Sequence, residues 1–337
     1  MGRRLKVLRK EIYMSLNMFL GAVSQGLLWG VMAMGVWITY RVLNYADLTA
    51  EGSFTLGAAV AARLITSGAF DPLTSTLIAI VAGVLAGLIT GFLHTVLGVP
   101  PLLSGILSMT GLYSVNLRVM GMANIPLMRG TETLMTQAGD FLATMVGLLG
   151  MGGLVARISD VSGIADRNVN AIFVGLIFAM VVIFLLKLFF NTEIGYVLRA
   201  TGDNEAMVKA QGVSTKKMKL LGLMLGNACV ALSGALVFQF QGFADIGMGV
   251  GTIVIGLASV IIGEVIFNDK NSHRALIAVV LGSVLYRIII AFVLGRGIHP
   301  NDFRLISAMM LALALAMPLI REKLNLKKLL PDFKGRG

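Results

Sequence analysis

Apolar runs long enough to cross a bilayer alternate along the chain with short polar breaks, a pattern that predicts repeated membrane-spanning helices. Residues 15–39 form the first run, closed by Tyr40. The pattern then fails. RVLNYADLTAEGS over 41–53 sets Asp47 and Glu51 between apolar segments, and 54–67 is short for a full span. A broken or re-entrant helix is implied, because carboxylates and non-helical backbone survive at membrane depth only when buried in protein or lining an aqueous cavity. Runs at 73–97 and 102–123 follow, joined by Val99-Pro100-Pro101. Residues 124–168 are weakly apolar, and 141–155 reads as a short interfacial helix, with an extra short span as the alternative. Runs at 169–190, 218–241, 252–267, 273–294 and 304–320 complete the set. The expected fold class is all-α, a polytopic transmembrane helical bundle of about 8–10 spans including the broken helix.

One polar interruption is longer than the others: TEIGYVLRATGDNEAMVKAQGVS, from Thr192 to Ser214. Asp203 follows Gly202 and suits a helix N-cap, Glu205 sits near the positive dipole end with Lys209 four residues on, and Gly212 offers a left-handed stop. These signals predict a short, isolated helix over 204–211. So short a helix is marginal in water by itself, and a soluble docking partner is the economical explanation; an ordinary interfacial loop is the alternative.

Composition narrows the class. Hydrophobic residues make up 57% and charged residues 13% of the 337, with mean hydropathy +0.86, which excludes an ordinary soluble domain. The net charge of +11 would suggest nucleic acid in a soluble chain. Here it gathers at residues 1–14, around Lys216, Lys217 and Lys219, and at 321–337, a positive-inside pattern that points to anionic cytoplasmic lipid and not to nucleic acid. The expected organisation is therefore a basic cytoplasmic N-terminal segment (1–14), a transmembrane domain (15–320) with a cytoplasmic loop (192–217), and a basic cytoplasmic tail (321–337). Counting the apolar segments gives an odd number, which conflicts with two cytoplasmic termini. Gly83, Gly87 and Gly91, and separately Gly222 and Gly226, line helix faces suited to close packing, between two copies of the chain among other uses. Cys229, the single cysteine, reads as packing.

No G-x-x-x-x-G-K-[ST] occurs, so ATP would be handled by another chain, and no motif points to a metal, a cofactor or a catalytic residue. The chain is not expected to be an enzyme.

Thr192, Gly195, Arg199, Ala200, Asn204, Ala210 and Gly212 resemble the coupling loop of ABC-importer permeases of the branched-chain amino acid and ribose type. Asp47-Leu48-Thr49 followed by Gly52-Ser53 resembles that family's early motif, and the likeness runs over nearly the whole chain. The resemblance implies an inner or plasma membrane permease subunit, working as a homodimer with two ABC ATPase subunits and an extracytoplasmic solute-binding protein. It implies a small solute, of the amino-acid subgroup, aromatic ones included. It places ATPase coupling on Glu193, Gly195, Arg199, Ala200, Asp203, Asn204, Glu205, Ala206, Lys209 and Gly212. Asn44, Asp47, Thr49, Glu51, Ser53 and Asn116 are its candidates for the substrate pathway. Asp47 has a second reading, as a residue that merely starts the next helix. Two rivals for the whole chain stay open: an ion-coupled secondary transporter using Asp47, Glu51 and Glu264, and a non-transporting membrane scaffold.

Overall fold

A computed structural model describes residues 2–148, 166–267, 272–296 and 302–324. Helices carry nearly all of it, since in a bilayer they satisfy every backbone group internally. Helix α1 (Gly2–Trp37) winds into a π-helical turn at Ile38–Val42. Residues 43–48 are not helical, and Asn44 there adopts a left-handed φ of 52°, a conformation asparagine tolerates better than most side chains. Helix α2 (Thr49–Thr66) starts on the far side of this break. Helices α3 (Pro72–Thr95), α4 (Pro101–Met120), α5 (Leu134–Leu148) and α6 (Asp166–Phe190) follow. Two short helices, α7 (Glu193–Asp203) and α8 (Glu205–Ala210), lead into α9 (Thr215–Gln241). Helices α10 (Thr252–Phe267), α11 (Ser272–Gly295) and α12 (Phe303–Leu324) finish the described chain. A two-stranded antiparallel ribbon, β1 (Asn124–Pro126) with β2 (Phe243–Asp245), pairs Ile125 with Ala244.

Among the described residues five helices are long and apolar enough to cross a membrane: Leu16–Val42 of α1 with its π-helical turn, α3, α6, α9 and α11. They differ in what surrounds them. The apolar window of α9 is 78% buried and that of α6 only 28%, so α9 is the central post of the bundle while α6 turns most of its surface outward. Glycines let neighbours approach α9 closely. A Cβ on Gly83 would meet the Asn227 carbonyl at 2.5 Å, and one on Gly87 would collide with the Leu223 carbonyl. Gly222 and Gly226, on α9 itself, receive Leu43 and Thr39. Both glycine faces are thus used inside one protomer, and they do not argue for contact between two copies.

Helix direction bears on the termini. Asn168, at the start of α6, lies beside Gly21 and donates to the Asn17 carbonyl at 3.3 Å, so α6 begins beside residues 17–21 of α1 and runs parallel to it. They also end together, because α7, which leaves α6, packs Gly202 on the Val42 carbonyl. The start of α1 and the α7–α8 loop are therefore at opposite ends of the bundle. Residues 141–148 of the segment expected as an interfacial helix belong to α5, which begins earlier and stacks Phe141 on Phe173 at 6.2 Å; residues 149–165 lie outside the described set. So do residues 325–337 of the expected tail.

Candidate coupling loop and the buried carboxylate beneath it

The 192–217 loop holds two helices where the sequence suggested one. Thr192 caps α7, accepting from the Gly195 amide at 3.2 Å. Asn204, not Asp203, caps α8, accepting from the Met207 amide at 3.0 Å, while Asp203 is the last residue of α7. Both residue types cap equally well, so only the chain path distinguishes them. Gly212 has φ of +81° and its amide donates to the Lys209 carbonyl at 3.0 Å, the left-handed stop the sequence suggested.

Glu205 ties α8 to the start of α9. It pairs with Lys209 at 2.9 Å and with Lys219 at 2.8 Å, and accepts from the Thr215 hydroxyl at 3.0 Å. The Lys219 and Lys209 ammonium groups pull its carboxyl down to about 2. Lys219 and Thr215 had no sequence signal, since their partner lies 14 and 10 residues away across a loop.

Arg199 turns back onto α6, donating to the Phe190 carbonyl at 2.7 Å and lying over the rings of Tyr196 and Phe190. Gly195 and Leu198 are buried where α7 crosses the end of α6, with Ala200 half-buried beside them. Glu193, Ala206 and Lys209 are exposed, as are the apolar side chains of Ile194, Tyr196 and Met207. One side of this loop is thus cemented to the bundle, and the other presents apolar surface edged by charge.

The cemented side reaches the broken helix. Gly202 leaves no room for a side chain against the Val42 carbonyl, the last residue of the π-helical turn. Five residues on, Asp47 is buried at 3% exposure. Its Oδ1 accepts from the Thr49 amide at 3.0 Å, the helix-starting contact, and its Oδ2 accepts from Asn227 Nδ2 on α9 at 2.7 Å. Ser53 donates to Asn227 Oδ1 at 2.6 Å, and Thr49 bonds Thr90 of α3 at 2.7 Å. The break is therefore stitched to α9 and α3 by side chains whose polar atoms satisfy one another, as burial demands.

Of the six pathway candidates, Asp47, Thr49, Ser53 and Asn116 are buried within the protomer, Asn116 donating to the Gly52 carbonyl at 3.1 Å. Glu51 is half-buried and accepts from the Gly251 amide at 2.9 Å, just ahead of α10. Asn44 alone is exposed. Glu264, the remaining carboxylate of the ion-coupling alternative, grips Arg41 at 2.6 and 2.5 Å, joining the π-helical turn to the end of α10. Nothing in the sequence pairs Arg41 with a residue 223 positions away.

A helical bundle with a broken early helix and a two-helix loop on its post does not by itself say what it does, and comparison with known proteins assigns the class. Residues 18–315 match the family described as branched-chain amino acid transport system, permease component, and the chain belongs to that family. It is a permease subunit of the ABC-importer kind. It is 37% identical over 297 residues to a tyrosine transport system permease protein of Clostridioides difficile, covering 88% of this chain and 90% of that one. An uncharacterized protein of Rickettsia prowazekii is 32% identical over 305 residues, covering 89% and 98%. An autoinducer 2 import system permease protein of Yersinia pseudotuberculosis is 24% identical over 273 residues, covering 81% and 69%. No solved structure matches.

Proposed function

We propose that the chain carries an amino acid, of the aromatic class, across the inner or plasma membrane, driven by ABC ATPase subunits that dock on α7 and α8. An extracytoplasmic solute-binding protein delivers the solute at the opposite face, and two copies of this permease form the pathway. The solute class is supported by the similarity to the tyrosine transport system permease protein. The docking site is supported by the exposed Ile194, Tyr196 and Met207 on a loop otherwise fastened to the bundle. The permease pair is supported by membership of the family.

The single observation that carries the mechanism is the contact of Gly202 with Val42. ATP-driven movement of α7 is passed through it to the π-helical turn, and from there to the Asp47 junction with α9. The other end of the loop feeds α9 directly, since Glu205 clasps Lys219 and Thr215 in its first turns. Both inputs converge on the contact of Asn227, within α9, with Asp47, which sits where the chain has no regular helix to resist a shift. The carboxylate's work is positioning; ATP hydrolysis belongs to the partner chain and no cofactor is needed here.

Site-directed cross-linking tests the docking step. A cysteine at Met207, in a Cys229→Ser background, should cross-link to the co-expressed ATPase subunit, whereas one at Thr66, at the far end of α2, should not. Equal cross-linking from both positions, or none from Met207, removes α8 from the ATPase interface. Uptake of labelled tyrosine by vesicles holding the complete complex tests the solute class.

A further inference from the structure

Helices α1 and α11 touch at Gly26, where an added Cβ would lie 2.5 Å from the Val284 Cα, and at Gly30 against Val280. Toward the end remote from α7 and α8 they part. The gap is a cleft of about 470 Å³ walled by Met18, Ala22 and Gln25 of α1 and by Arg287, Ile290 and Leu294 of α11.

Arg287 is nine-tenths buried, at 9% exposure. Its Nη1 donates to Gln25 Oε1 at 3.1 Å, and its guanidinium carbon lies 4.1 Å above the centre of the Trp29 ring. Its Nε and Nη2 have neither a partner nor contact with solvent, and the Trp29 indole Nε1 is in the same condition. Among the described residues five buried side-chain polar atoms lack a partner, and three of them are these donors, gathered around one cation.

Unsatisfied buried donors call for an acceptor. A guanidinium keeps its charge at any cellular pH and is rarely buried without a counter-ion. The Nε–H and the neighbouring Nη–H form the side of the group that holds two oxygens of one carboxylate or phosphate in parallel. The walls above it are apolar, and among the described residues no aspartate or glutamate lines the cleft.

We propose that this cleft binds a single oxyanion, carboxylate or phosphodiester, carried on an apolar body, with the oxyanion on Arg287 and the body between α1 and α11. The α-ammonium group of an amino acid would find no acidic partner there. The site is therefore distinct from the transported solute and does not depend on the proposed function. Two sources supply this chemistry: an anionic lipid of the surrounding bilayer and a soluble apolar acid. Either would bridge α1 to α11 above their glycine contact.

Native mass spectrometry and thermal unfolding of the purified permease in neutral detergent test the site, with phosphatidylglycerol, phosphatidylcholine, hydrocinnamate and tyrosine as probes. Phosphatidylglycerol or hydrocinnamate should bind one per chain and raise the unfolding midpoint. Binding should weaken at least about tenfold in Arg287→Gln, which removes one charge-assisted pair. Ala291 also lines the cleft, so Ala291→Phe fills it and leaves Arg287 in place; this variant should weaken binding as much, and it decides the matter should Arg287→Gln fail to fold. The probe that binds identifies the source. Absence of binding by both anions, equal binding to wild type and Ala291→Phe, no preference for phosphatidylglycerol over phosphatidylcholine with hydrocinnamate silent, or preferential binding of tyrosine would each overturn the proposal.

Discussion

Asn227 on α9 donates from Nδ2 to Oδ2 of Asp47 across 2.7 Å, joining positions 180 residues apart where the first membrane helix is broken. Its amide oxygen meanwhile accepts from Ser53. Replacing Asn227 with leucine strands a buried carboxylate and a buried hydroxyl together. Asn227→Leu is expected to destabilise the purified permease by about 1–3 kcal/mol, the cost of leaving buried polar groups without partners. Thermal unfolding in detergent measures it, and a change within error of zero would mean that the pair is dispensable.

Burial of the Asp47 junction sets a labelling pattern. Single cysteines at Asp47, Thr49 and Ser53, in a Cys229→Ser background, should resist a water-soluble thiol reagent in the resting permease, because each native residue is almost wholly buried. A cysteine at Asn44, which is exposed, should react. Rapid labelling at 47, 49 and 53 would instead place these positions on an aqueous path.

The spans were legible because a bilayer fixes how long an apolar run must be, and the break at 41–53 because charge at that depth has few homes. The stop at Gly212 was legible too, glycine being the residue that takes left-handed φ without cost. The sequence does not say what meets what. It carries no sign that Asp47 belongs to Asn227, Arg41 to Glu264, or Gly83 and Gly87 to α9, since these contacts are set by the packing of helices far apart in the chain. That is why glycine stripes suggested contact between copies, and why the sequence offered the break as a candidate pathway without naming the residues it is stitched to. The parallel course of α1 and α6, which sets the start of α1 and the 192–217 loop at opposite ends of the bundle, is likewise a matter of packing.

Glu205 gives the loop a pH dependence. Pairing lowers its folded pKa from 4.5 to about 2, so a detached loop binds the proton more readily and the clasp stabilises the attached one at neutral pH. That contribution is full above pH 4.5 and is lost as pH falls toward 2. Solvent reaches the site, so each ion pair is worth no more than about 1 kcal/mol. Amide hydrogen exchange over 205–215 should quicken in Glu205→Gln at pH 7, with a smaller difference from wild type in high salt. Identical exchange in the two proteins would show the clasp idle.

Arg41 and Glu264 make a two-pronged contact between the π-helical turn and the end of α10. Arg41→Glu should lower uptake by opposing two carboxylates, and Glu264→Arg by opposing two cations. The double exchange, Arg41→Glu with Glu264→Arg, should recover much of the activity while each single variant stays impaired. Transport assays on folded protein measure this, and additive losses in the double variant would show that the two residues act independently.

The account rests on movement passing from α7 to the broken helix through Gly202, where any side chain meets the Val42 carbonyl; around Gly212, by contrast, a Cβ would find open space. The most direct measurement is tyrosine uptake and ATP hydrolysis by the reconstituted complex carrying Gly202→Ala, beside Gly212→Ala, with ATPase subunit binding quantified in both. Gly202→Ala is expected to retain the ATPase subunit and hydrolyse ATP while uptake falls at least about tenfold. Gly212→Ala pays only a backbone strain of about 1–2 kcal/mol and should lose far less uptake. Wild-type uptake in a folded Gly202→Ala complex would contradict the account.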